Sequence, residues 1–204
     1  MSLLTTWGYT LADADALPAM LTAQEYAEYS GRDDDETRVT AEISAACGAI
    51  RNFVGWHLYP SMSCRAEMMG FDRRVTFHGK DLLIQLPARY VTAVTGVTIN
   101  GTAHEYFIDP NGLLYVYDTF DCGRYSRIVV EYTAGLTDDL MAPIKELIAH
   151  RVTHAIAVPS GITSEASGGV SVTYNTNWIN NSRATGLAGD NKELLVPYKV
   201  QGVF

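Results

Sequence analysis

Cysteine is scarce in this chain and never paired for chemistry. Cys47, Cys64 and Cys122 form an odd, widely spaced set without a CxxC. That excludes a disulfide framework or a zinc ribbon and leaves free, buried thiols as the expectation. Long apolar runs are missing as well, so nothing approaches the roughly 20 residues that span a bilayer. Met1-Ser2-Leu3-Leu4-Thr5-Thr6-Trp7 lacks a basic region and a continuous apolar stretch, and no signal peptide is expected. Positive charge is in deficit, with Lys+Arg 15 against Asp+Glu 23 and a net charge of −8. Such a balance argues against a broad basic face gripping phosphates, but not against a protein that lets DNA slide past, because like charge prevents sticking.

Catalytic signatures are absent too. There is no Walker A, GxGxxG or GxSxG. Gly161-Ile162-Thr163-Ser164 and Gly168-Gly169 lie in a polar stretch, not between a strand and a helix, so they make no phosphate cradle or nucleophile elbow. His150 and His154 stand four apart on an expected helix and could face one metal, but Arg151 follows His150 where HExxH needs Glu. Solvated or interface histidines are the expectation, with a small hydrolase or metal enzyme as the minor alternative. Asp33-Asp34-Asp35-Glu36 lacks the alternation and central Gly of an EF-hand and suits a helix N-terminus. No catalytic, cofactor or metal residue is assigned, and no cofactor is expected.

What is present is a change of period. Thr22-Ala23-Gln24-Glu25 is a capping box behind Leu21, starting a helix that Gly31 stops. A second helix carries Val39, Ile43, Ala46, Ile50, Phe53 and Val54 at spacings of three and four. Gly55 ends it, and Trp56, Leu58 and Tyr59 are expected to cap the bundle. From Ser61 the period becomes two, with strands around 73–78, 81–86, 91–99, 106–108, 113–117 and 127–132. Asn100-Gly101 and Asp109-Pro110-Asn111-Gly112 supply turns. Helix returns near residues 139–158, with Pro143 in its first turn and an apolar face of Ile144, Leu147, Ile148, Val152, Ala155 and Ile156. Ser160 to Gly169 reads as a flexible linker, Val170 to Tyr174 as a strand, and Asp190 as the cap of a short last helix. Tyr106, Tyr115, Tyr117 and Tyr132 fall on strands, where they serve a core or a half-wet interface equally well.

These elements predict an α+β chain: a small helical bundle interrupted by an antiparallel β insert, with an extended C-terminal arm. The expected parts are an N-terminal arm (1–20), the bundle (21–60 and 136–159), the β insert (61–135), and a flexible loop with an anchoring arm (160–204).

Leu21 to Tyr26, Asp33 to Glu36 before Ile43-Ser44-Ala45-Ala46, and Ile50 to Gly55 resemble the two-helix start of phage head–tail connector (adaptor) proteins. Leu86-Pro87-Ala88, Val94 to Gly101, and Val129 to Gly135 followed by Pro143 are similar to their β region. Gly161 to Glu165, Gly169 to Tyr174 and Leu194 to Lys199 match the late part. The resemblance implies a virion structural protein, not an enzyme. It implies a homo-oligomeric ring, a dodecamer, below the portal protein of a tailed double-stranded DNA phage. That ring extends the DNA channel and docks a tail-completion or tail-tube protein. DNA passes without specific binding, no membrane is involved, and assembly takes place in the bacterial host cytoplasm. The runner-up is a tail-completion or tail-terminator ring. Leu194, Leu195, Pro197, Tyr198 and Lys199 are the residues expected to bind the portal or a neighbouring subunit.

Overall fold

Strand pairing, not helix packing, organises most of the chain. The computed structural model describes residues 3–12, 14, 16–109, 112–119, 122–157, 164–167, 170–173 and 189–200. Within them lie two antiparallel sheets, a separate hairpin and a few helices. The expected helical bundle with a small β insert is therefore wrong: the β structure is the larger part, and the chain is mostly antiparallel sheet. Helical stripes at 3.6 residues are easy to see locally, whereas sheet order depends on partners far along the chain.

The chain divides into two compact units, residues 1–18, 55–138 and 198–204, and residues 19–54 and 139–197. The first unit holds both large sheets. Strands β1 (Leu3–Leu4), β2 (Tyr9–Leu11), β3 (Met62–Met69), β6 (Val91–Ile99), β7 (Thr102–Ala103) and β10 (Arg127–Ala134) form a six-stranded sheet in the order β1-β2-β3-β10-β6-β7. Residues expected to form a loose N-terminal arm thus supply its first two strands. In β3, Cys64, Ala66 and Met68 are buried between exposed Ser63, Arg65 and Glu67; in β10, Ile128, Val130, Tyr132 and Ala134 are buried. One face is core and the other wet, as antiparallel sheets allow. The wet face is laced by Arg65–Glu131 at 3.2 Å, an opposed pair, and by Arg127–Glu67 at 2.6 Å.

Strands β4 (Val75–His78), β5 (Asp81–Gln85), β8 (Tyr106–Asp109) and β9 (Leu113–Val116) form the four-stranded sheet, ordered β4-β5-β9-β8. Its hairpins interleave in sequence with β6 and β7, so two sheets emerge from what reads as one run of strands. Leu82, Ile84, Leu114 and Val116 bury one face. The expected hairpin at Asn100-Gly101 joins β6 to β7, with Asn100 and Gly101 both at positive φ. The Pro110-Asn111 part of the other expected turn lies outside the described residues.

The second unit is helical. Helix α1 (Ala23–Ser30) starts with the expected capping box on Thr22 and Glu25 and closes on left-handed Gly31. Helix α2 (Glu36–Val54) buries Val39, Ile43, Ala46, Cys47, Ile50 and Val54. Helix α3 (Asp138–Ala157), most of which belongs here, buries Met141, Ile144, Leu147, Ile148, Ala149 and Val152. It starts close to the expected position, but Pro143, expected in the first turn, sits inside the helix, where its ring removes one backbone hydrogen bond. Lys145 Nζ meets Glu25 Oε1 at 2.6 Å and Arg38 donates to the Ala155 carbonyl at 3.4 Å, tying α3 to α1 and α2. The expected linker contains strand β11 (Ser164–Ser167), paired with β12 (Val170–Thr173), and α4 (Gly189–Leu195) precedes a 3-10 turn, Val196–Tyr198.

Candidate assembly surfaces

The last described residues return to the β-rich unit and find a prepared seat. Trp56 Nε1 donates to the Tyr198 carbonyl at 2.7 Å. The Tyr198 ring stacks on Tyr90, with centroids 5.8 Å apart, and Tyr90 stacks on Trp56 at 6.4 Å. Arg89 Nη1 donates to the Lys199 carbonyl at 3.3 Å. Two of these contacts are made to main chain, so they hold a path of backbone more than a particular side chain. Burial pushes the Tyr198 phenol up from its ordinary pKa, and Tyr90 adds to this. Trp56, expected to cap the helices, instead belongs to the unit that holds the sheets.

Of the five residues singled out for partner binding, Leu195 is buried and Tyr198 half-buried in its stack. Leu194, Pro197 and Lys199 are exposed. Val196, not singled out from sequence, is 56% exposed beside them.

Beneath the seat, His57 is fully buried and bonded on both ring nitrogens. Nδ1 lies 2.7 Å from Tyr9 Oη, and Nε2 lies 2.9 Å from the Ala134 carbonyl. A carbonyl can only accept, so Nε2 carries the hydrogen and Nδ1 accepts from Tyr9. The backbone N–H of His57 donates in turn to Tyr9 Oη at 2.9 Å. One imidazole thus fastens β2 to the end of β10. Sequence reading gave this histidine no role, because its partners are far away in the chain.

A cleft of about 270 Å³ opens in the helical unit, where Asp33 and Glu36 line it with Ala23, Tyr26, Ala27 and Val39. Arg32 also borders it, paired with Asp34 at 2.8 Å, and that hydrogen-bonded guanidinium holds the Asp34 carboxyl below its ordinary pKa. On the outer face of the four-stranded sheet, Phe107 and Tyr115 lie in register on neighbouring strands with ring centroids 6.1 Å apart, 56% and 39% exposed. A further exposed aromatic pair, Phe71 and Tyr125, stands at the end of the larger sheet. None of these pairs was recognised from sequence. The one signal for the last pair is the placing of each aromatic beside a Gly and an Arg, in Gly70-Phe71-Asp72-Arg73 and Gly123-Arg124-Tyr125.

Reactive chemistry does not assemble around any of these places. Among the described residues, no group of three His, Cys, Asp or Glu side chains could hold a metal. His150 pairs with Glu146 at 3.6 Å and is exposed, while His154 is half-buried. Burial pushes the Cys64 thiol up to about 12 and raises Cys47 as well, which makes both poor nucleophiles. No described helix is long and apolar enough to cross a membrane.

The exposed surfaces described above are aromatic, apolar or charged. No curated protein matches the sequence. A family model does, under the description Head completion protein, and it aligns with residues 19–181, taking in helices α1 to α3 and eight of the ten strands of the two sheets, all except β1 and β2. By that match over most of its length, the chain belongs to the head completion protein family.

Proposed function

We propose that this chain is a structural component of a tailed-phage virion, acting at the head–tail junction as a ring seated below the portal. The observation that carries this reading is the head completion match across residues 19–181. The exposed aromatic patches support it. A ring requires head-to-tail interfaces that close after a fixed number of copies, and the connector resemblance makes that number twelve. The net charge of −8 suits a channel wall that does not hold DNA. A tail-completion or tail-tube protein would dock on the side away from the portal.

The terminal segment takes a divided role in this reading. Leu195 and Tyr198 hold the segment in place, and exposed Leu194, Pro197 and Lys199 meet the portal or a neighbouring subunit. Electron microscopy of the protein mixed with its portal is the direct test: twelve-fold rings on the portal are expected. Six-fold rings with affinity for tail tubes would replace the reading by a tail-terminator role. The variant L194A/K199E should keep its fold and lose portal affinity; unchanged affinity would remove these residues from the contact.

A further inference from the structure

Two loops meet at one end of the six-stranded sheet, residues 70–74 after β3 and residues 122–126 before β10. The register of Arg127 opposite Met69 brings them side by side. Their contact is tight. The Gly70 amide donates to the Ser126 carbonyl at 2.9 Å, and a Cβ on Gly70 would run into the Gly123 carbonyl oxygen. Ser126 is buried, and its Oγ accepts from the Gly123 amide at 2.9 Å and from Asn100 Nδ2 at 3.1 Å. Asp72 grips Arg74 through both carboxylate oxygens, at 3.1 and 3.0 Å.

This scaffold holds its two rings out in water. Phe71 is 57% exposed and Tyr125 is 84% exposed, edge to face with centroids 6.4 Å apart. Exposed Arg73 and Arg124 adjoin them in sequence. Arg32, Arg65, Arg74, Lys80, Arg127 and Lys145 pair with carboxylates; Arg73 and Arg124 make no ion pair with any described residue. Aromatic rings and arginines on a rigid support are the composition of an interface hot spot. A DNA duplex fits less well. Two arginines neutralise few phosphates, and the rings have no unstacked base to meet.

We propose that the Phe71/Tyr125 tip, with Arg73 and Arg124, docks on the acidic surface of a second copy of this chain, at the cleft walled by Asp33 and Glu36. The inference deepens the ring reading and rests on it. Charge complementarity selects the partner. Copies with a net charge of −8 repel one another on average, so neighbours join only where a local positive surface meets a negative one. Asp33 and Glu36 are exposed and hold no ion pair among the described residues, and buried Tyr26 and Val39 stand in the wall of the cleft they border. The two surfaces differ, so the contact is heterologous and can be repeated around a ring.

The test is sedimentation of the full chain across protein concentration, alone and with portal, with circular dichroism melts to verify folding. R73E/R124E and D33K/E36K should each raise the midpoint concentration for self-association by about 10-fold or more, as expected for hot-spot contacts. The chain carrying all four changes should recover most of the loss, because the signs again oppose. F71A/Y125A should weaken association without moving its salt dependence. Tip variants that associate like the wild type would overturn the proposal and leave the ring intact. Tip variants that associate normally but lose portal binding would overturn it in favour of a different protein partner. A wild-type chain that forms no ring under either condition would overturn both readings together.

Discussion

The β-rich unit and the helical unit are built on opposite principles. In the helical unit, contacts follow from spacing: Val39, Ile43, Ala46, Ile50 and Val54 share a face because of the 3.6-residue period, and a local capping box starts the unit. In the β-rich unit, position in sequence says little about neighbours. Strand β2 pairs with β3 across some fifty residues, and β3 pairs with β10 across a similar gap. The buried polar links are correspondingly long-range, with His57 holding Tyr9 on one side and Ala134 on the other. The lesson is that the helical unit can be weakened one element at a time, whereas the sheets depend on a few distant fasteners.

Breaking the fastener should have the largest effect. His57→Ala removes the imidazole that accepts the Tyr9 hydroxyl proton and donates to the Ala134 carbonyl, and opens a cavity, for an expected loss of about 3–5 kcal/mol in urea unfolding. Ile43→Ala, in the core of α2, should cost about 2–4 kcal/mol. Following intrinsic fluorescence and far-ultraviolet dichroism together sharpens the contrast. If the two variants shift separate transitions, the units are energetically distinct; if both shift one shared transition, the contrast is only architectural.

Smaller effects follow at the periphery. Thr22→Ala should cost about 1 kcal/mol by removing the cap of α1, with hydrogen exchange rising first in that helix. Asp72 supplies an acid-sensitive contribution. The hydrogen-bonded Arg74 guanidinium holds its carboxyl below the ordinary 3.8, so the stabilisation is complete above that pH and is lost as pH falls through the lowered value. Asp72→Asn should therefore be destabilising in melts at pH 7, with the gap to wild type closing in acid. Last, the Tyr132 hydroxyl is buried without a hydrogen-bond partner, and burial pushes its phenol well above the ordinary range. Tyr132→Phe should leave stability unchanged or raise it by up to about 1 kcal/mol, in contrast to His57→Ala in the same core.

The sequence by itself determined the helices, most strands of the middle of the chain, the Asn100-Gly101 hairpin and the cap on Thr22, since each rests on spacing or on residues next to one another. It also led to the family, through the order of its segments. Only the tertiary structure decided that β structure outweighs helix, that β1 and β2 extend the larger sheet, and that one run of strands divides between two sheets. It alone gave His57 its partners, Tyr198 its seat against Trp56 and Tyr90, and Phe71 its place beside Tyr125. The physical reason is range. Helix periodicity and turn chemistry are fixed by neighbours within a few residues, while sheet order and the meeting of loops are fixed by pairings whose partners stand tens of residues away.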